Sequence, residues 1–200
     1  MKWIVITSPD FLPGEAFFID RLFCHGLDLL HLRKPGATAE ACRRLLDAVP
    51  EKWHDRIVLH ENFGLAKEYR LHGIHLNRRC PQAPVGFSGS ISCSCHSIEE
   101  VAERKRMMDY IFLSPVFDSI SKAGYEAAFS TEALRKAAME KTIDSKVVAL
   151  GGVTAANITQ LREWHFGGAA LLGDVWLRMD DPRADAYLDR LRKETGHAHT

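Results

Sequence analysis

The chain predicts a single (β/α)8 TIM barrel, and three observations carry the prediction. Eight short apolar runs are spread along its 200 residues. Stretches of helical periodicity separate most of them, an alternation that marks parallel βαβ units. Polar or glycine-rich segments follow the runs, and a barrel keeps its active site at the C-terminal ends of its strands. A flavodoxin-like sheet needs only five strands and would leave three runs without a place.

In chain order the predicted strands are Trp3–Thr7, Leu29–Leu32, Ile57–His60, Gly73–Leu76, Ser90–Cys93, Tyr110–Leu113, Val147–Leu150 and Ala169–Leu172. Phe18, Ile19, Leu22 and Phe23 share one face of the first helix, and Cys42, Leu45 and Leu46 one face of the second. The same spacing recurs at Ile98, Val101 and Ala102, at Leu134, Ala137 and Ala138, and at Ile158 with Leu161. Ser97 and Thr154 follow strand ends and offer N-cap hydroxyls. Between Gly73 and Ser90 the helical signal is weak, so the fourth helix is expected to be degenerate and seven clear helices remain. One domain over residues 1–195 with a loose tail at 196–200 is the expected organisation.

Lys and Arg number 26, as do Asp and Glu, so the formal net charge is zero. Charges spread this evenly give no basic stripe for nucleic acid or a membrane surface. No run approaches the roughly 18 apolar residues of a membrane span. The sequence enters a strand directly after Met1 and Lys2, without a signal-peptide pattern, so a cytoplasmic protein is expected. The five cysteines form an odd set without framework spacing and read as reduced thiols. A homo-oligomer is compatible with all of this, and the expected partners are small molecules.

The strand ends carry the candidate chemistry. His31 and Arg33 share parity, so one facing the barrel axis brings the other with it. An arginine there is a fork for phosphate oxygens. His60 has the parity of Val58, and Glu61 beside it is a candidate ligand for a hard cation. Cys93, Cys95 and His96 lie close together, but tetrahedral zinc takes four ligands at looser spacing. Ser94 is better placed as a phosphate donor. Ser119, Ser121 and Lys122 follow the sixth strand in a loop able to wrap an anion. Gly151 and Gly152 after the seventh strand, with Gly173 after the eighth, let backbone N–H groups approach a phosphate.

Taken in order, these segments resemble the thiamine phosphate synthase/TenI family over nearly the full length. Leu30-His31-Leu32-Arg33 is similar to the family's Q-x-R-x-K segment, and Gly73-Ile74-His75-Leu76 to its G-V-H-L strand. Ser94-Cys95-His96-Ser97 resembles S-x-H-T, and Ser114 to Lys122 resembles G-P-I-F-x-T-x-S/T-K. Val148-Ala149-Leu150-Gly151-Gly152-Val153 is similar to V-A-I-G-G-I. The resemblance implies an enzyme that joins an aminopyrimidine diphosphate to a thiazole phosphate and releases pyrophosphate. It implies that Arg33, Ser94 and Lys122 hold pyrophosphate. Ser119 and Ser121 would contact the thiazole phosphate, which rests on backbone at Gly152 and Gly173. Glu61 falls where the family has its first magnesium carboxylate, so Mg2+ is the implied cofactor.

Departures are concentrated in one half of the site. His31 stands for the family's Gln, Pro35 for its Lys, His60-Glu61 for its Asn-Asp pair, and Cys80 for its second magnesium carboxylate. Weak magnesium dependence is therefore expected. A TenI-like thiazole tautomerase and a non-catalytic phosphate-ligand regulator are the alternatives. The histidine associated with tautomerisation falls at Pro115, so His31 and His60 are the expected acid–base residues.

Overall fold

The structure, a computed structural model, describes residues 1–118 and 128–196. Eight parallel strands close a barrel in sequential order: β1 (Lys2–Ile6), β2 (Leu29–Leu32), β3 (Ile57–Leu59), β4 (Gly73–Leu76), β5 (Ser90–Cys95), β6 (Tyr110–Leu113), β7 (Val147–Leu150) and β8 (Gly168–Leu171). Closure is made by β1 on β8, from Lys2 opposite Gly168 to Val5 opposite Leu171. The helices are α1 (Glu15–Cys24), α2 (Ala39–Ala48), α3 (Gly64–Glu68), α4 (Ile98–Arg104), α5 (Thr131–Met139), α6 (Ile158–Glu163), α7 (Gly173–Trp176) and α8 (Ala184–Thr195). None of them is long and apolar enough to cross a membrane.

The predicted strands are all present, with ends shifted by no more than two residues. No helix lies between β4 and β5, as the weak periodicity there predicts. The region after β8 holds two helices, the first a single turn. Strand alternation sorts the core into two layers. Trp3, Val5, Leu30, Leu32, Ile57 and Leu59 point outward beneath the helices. Ile4, Ile6, Leu29, Tyr110, Phe112, Val148 and Ala170 point to the axis. A packed axis of this kind is a core, not a pore.

Local capping explains where helices start. Thr38 accepts from the Ala41 N–H and Ser130 from the Ala133 N–H. Ser97 accepts from the Glu100 N–H at 3.1 Å, while the Glu100 carboxylate accepts from the His96 N–H at 2.8 Å. That reciprocal pair closes the start of α4. Thr154 is a correction to the expected cap. Its hydroxyl accepts from the Ala156 N–H within a turn, and α6 begins only at Ile158. Asn157 displaces it by bracketing the turn, accepting from the Thr154 N–H and donating to the Gly152 carbonyl.

Beneath the β1 and β2 ends a buried ion pair ties α1 to the barrel. Lys34 Nζ meets Glu15 Oε1 at 2.5 Å and also donates to the Ser8 and Asp10 carbonyls. Both side chains are almost inaccessible, so every charged donor and acceptor needs these partners. Lys34 thus serves the scaffold, although it adjoins the predicted phosphate-binding arginine.

Candidate active site

An inward histidine stands beside the end of each of β2, β3 and β4: His31 and His75 one residue before the last, His60 one residue after it. His31 is completely buried, His60 and His75 nearly so. His31 Nδ1 lies 2.9 Å from His60 Nε2, and its Nε2 lies 2.7 Å from Tyr110 Oη. His75 spans two serines, with Ser92 Oγ 2.9 Å from Nδ1 and Ser94 Oγ 2.9 Å from Nε2. His31 and His75 also rest on the Phe112 ring, at centroid distances of 4.7 and 4.9 Å.

Burial is the main reason these imidazoles stay neutral. It holds His31 and His60 well below the usual histidine range, reinforced by repulsion from His75, and His75 at about 3, reinforced by Arg33. Burial likewise pushes the Tyr110 phenol up, keeping it protonated. Neutral partners make Tyr110–His31–His60 a chain with two consistent proton settings. Tyr110 donates to His31 Nε2 while His31 Nδ1–H donates to His60, or both bonds run the other way. Such a chain moves a proton without creating a buried charge at its centre.

His60 and His75 form the floor of a cleft of about 900 Å3 at the C-terminal ends of the strands. Four arginines, Arg33, Arg78, Arg79 and Arg104, line it, with Ser94, Ser114, Leu150 and Leu172. Its volume is in the range of small-molecule sites. Of the predicted residues, Arg33, His60 and Ser94 reach this cleft; His31 lies directly beneath it, touching His60. Ser119, Ser121 and Lys122 lie outside the described residues.

Glu61 is engaged by protein groups. One carboxylate oxygen pairs with Arg79 at 2.5 Å and the other accepts from the Gly36 N–H at 3.0 Å. Cys80 supplies no second carboxylate, and Glu100, the acid among the residues that line the cleft, accepts from the His96 N–H. A hard dication takes several oxygen ligands, and these residues do not fit one. Cys93 and Cys95 face the outer layer, whereas His96 donates from Nδ1 to the Ser114 carbonyl, so the three do not converge.

Gly151 and Gly152 adopt φ values of +93° and +64°. A Cβ on Gly152 would fall 2.2 Å from the Asp118 carbonyl oxygen, so this glycine is required by the packing of the β6 loop on the β7 loop. Val116 and Phe117 N–H groups donate to Leu150 and Gly151 carbonyls along the same seam. Gly173 opens α7.

Two further residues belong to the site and carry little signal in the sequence. Asn77 donates to the His60 carbonyl and accepts from the Arg79 and Cys80 N–H groups, aiming the Arg78-Arg79 loop into the cleft. Its one signal is an Asn directly after a strand, which favours such turns. Tyr110 reads as an ordinary strand aromatic until barrel closure sets it against His31.

Residues 5–175 match the family described as thiamine monophosphate synthase. The chain belongs to this family. A solved structure of thiamine phosphate pyrophosphorylase from Bacteroides thetaiotaomicron is 44% identical, with a TM-score of 0.89 and full coverage of both chains. A putative thiamine-phosphate synthase of Geobacter sulfurreducens is 30% identical over 74% of this chain and 69% of its own length. The thiamine phosphate pyrophosphorylase of Pyrococcus furiosus, 20% identical, shares the fold with a TM-score of 0.77 over 97% of this chain and 95% of its own. Membership makes the chain an enzyme of a thiamine-biosynthetic transferase family.

Proposed function

We propose that this enzyme is a thiamine-phosphate synthase that handles pyrophosphate with arginines in place of magnesium. The carbon–oxygen bond of an aminopyrimidine methyl diphosphate breaks, and pyrophosphate leaves with the electron pair. The thiazole nitrogen then forms the new carbon–nitrogen bond. One observation carries the reading: four guanidinium groups face the cleft, where among the described residues the acids needed for a hard dication are missing or already bonded. Charge stabilisation by preorganised donors is what this reaction asks of a protein.

Arg33, Arg78 and Arg79 hold the leaving pyrophosphate, with Ser94 and Lys122 as further donors. Arg79 is oriented by Glu61, which here acts as a positioning residue. The thiazole phosphate lies across the cleft on the backbone at Gly151, Gly152 and Gly173, with Ser119 and Ser121 as its further donors. His60 faces the pyrimidine, accepting a hydrogen bond from its amino group, and His31 backs His60 and carries proton shifts to Tyr110. The assay is turnover of the two phosphorylated substrates by purified protein, with and without a chelator. Thiamine phosphate and pyrophosphate should form at rates that chelation changes little. Abolition by chelator overturns the arginine assignment. Thiazole tautomer exchange without coupling overturns the synthase assignment.

A further inference from the structure

His31, His60 and His75 come from three adjacent strands and meet at the axis with relative exposures of 0%, 5% and 1%. A donor atom of each lies within 4.8 Å of the others, and among the described residues these form the one group of three or more His, Cys, Asp or Glu so arranged. The His60 and His75 rings stack at 4.3 Å, and His31 stands edge-on to both at 5.2 and 5.3 Å. Among the described residues no carboxylate shares the cluster. Imidazoles buried without a carboxylate partner offer a lone pair to a metal ion. Synthase chemistry as described above gives His75 no part.

We propose that His31, His60 and His75 together bind one divalent transition-metal ion of the zinc class, with its fourth position open to the cleft. Three neutral imidazoles suit zinc, cobalt, nickel or copper, whereas magnesium and calcium require oxygen ligands. Supporting groups are already in place. With Nδ1 given to the ion, His31 keeps its N–H on Nε2, where Tyr110 Oη waits at 2.7 Å. His75 has a serine hydroxyl at each ring nitrogen, so one remains to anchor the ring when the other binds. Histidine ligands are normally oriented by a hydrogen bond from their second nitrogen in this way.

Entry is through the cleft, whose floor His60 and His75 already form. Metal–nitrogen bonds of about 2.0–2.1 Å space tetrahedral donors by roughly 3.4 Å. The 2.9 Å His31–His60 contact therefore opens slightly, and the wider separations close. Arg33 faces His60 and His75 and opposes the ion's charge, so affinity is set by three lone pairs against that repulsion.

An ion on His31 and His60 replaces the hydrogen bonds that the synthase reading gives these two rings, so the metal-bound and metal-free forms are alternatives, and the test is made without turnover. Chelator-treated full-length protein is titrated with Co2+, read by visible absorption and calorimetry. The expected result is one ion per chain, an absorption band of a four-coordinate site, and loss of that band on adding one equivalent of Zn2+. Tyr110→Phe should retain the band and weaken binding about 10–100-fold. His31→Gln and His75→Gln should each weaken it further, with circular dichroism confirming the fold. Absence of the band in the unmodified protein overturns the proposal. So does binding that survives both histidine replacements, or unchanged affinity in Tyr110→Phe.

Discussion

β7, β8 and β1 send Val148, Ala170, Ile4 and Ile6 to the barrel axis, whereas β2 to β6 send His31, His60, His75, Ser92 and Tyr110 alongside Leu29 and Phe112. Both sides obey the same strand alternation, and only the chemistry of the inward residues differs. Apolar side chains need contact alone, so that side tolerates any filling of the right volume. Each polar group on the other side must find a partner, which makes its members depend on one another. The mouth repeats the division, with glycine turns above the apolar side and arginines above the polar one. The departures expected from the sequence, at His31, His60, Glu61 and Cys80, would fall on the polar side, where changing one group calls for changing the next.

Acid should separate the two sides most strongly. Folding lowers the histidine pKa values from about 6.5, so above that pH folded and unfolded chains are both neutral and stability is fully present. As pH falls, the unfolded chain takes up protons that the folded core refuses. Each histidine then removes about 1.4 kcal/mol per pH unit, roughly 4 kcal/mol per unit for three. Urea denaturation of metal-free protein at pH 7.0 and 5.5 measures this, and a flat profile would erase the distinction drawn here.

Arg79→Gln tests the polar mouth. Turnover should fall about 10²–10³-fold, equivalent to roughly 2.7–4 kcal/mol. The melting temperature should barely move, because the Arg79 side chain is half exposed. Across the cleft, Gly152→Ala should cost stability, by about 1–3 kcal/mol, from its positive φ and its approach to Asp118. Thermal unfolding decides it, and an unchanged midpoint would show that the β6 loop yields. Smallest of all, Ile4→Val on the apolar side should cost about 0.5–1.5 kcal/mol at either pH. A pH-dependent loss there would mean that the two sides are coupled.

Local periodicity makes much of this legible in the amino-acid sequence. Strand positions, the missing helix between β4 and β5, and the shared inward parity of His31 and Arg33 all follow from it. Convergence is harder to read. His75 sits in a strand that reads as plain family scaffold, and only closure of the barrel brings it against His31 and His60. Lys34 adjoins the arginine proposed to bind pyrophosphate, yet alternation turns it toward Glu15, a partner on α1 that no strand pattern announces. The place of Arg79 at the cleft is hidden for another reason: it depends on an Asn77 turn that redirects a short irregular loop.

Closure itself bears on how the molecule is made. β1 is synthesised first, and its apolar run Trp3-Ile4-Val5-Ile6 acquires its second neighbour only when Gly168–Leu171 emerges from the ribosome. Until then one backbone edge of β1 is left open, a template for other nascent chains. Holding it costs little entropy for each added residue, since loop closure grows only with the logarithm of length. The exposure in time is the greater burden. Slow codons placed before β8 would prolong it, and early chaperone contact with the first strand would shorten its consequences.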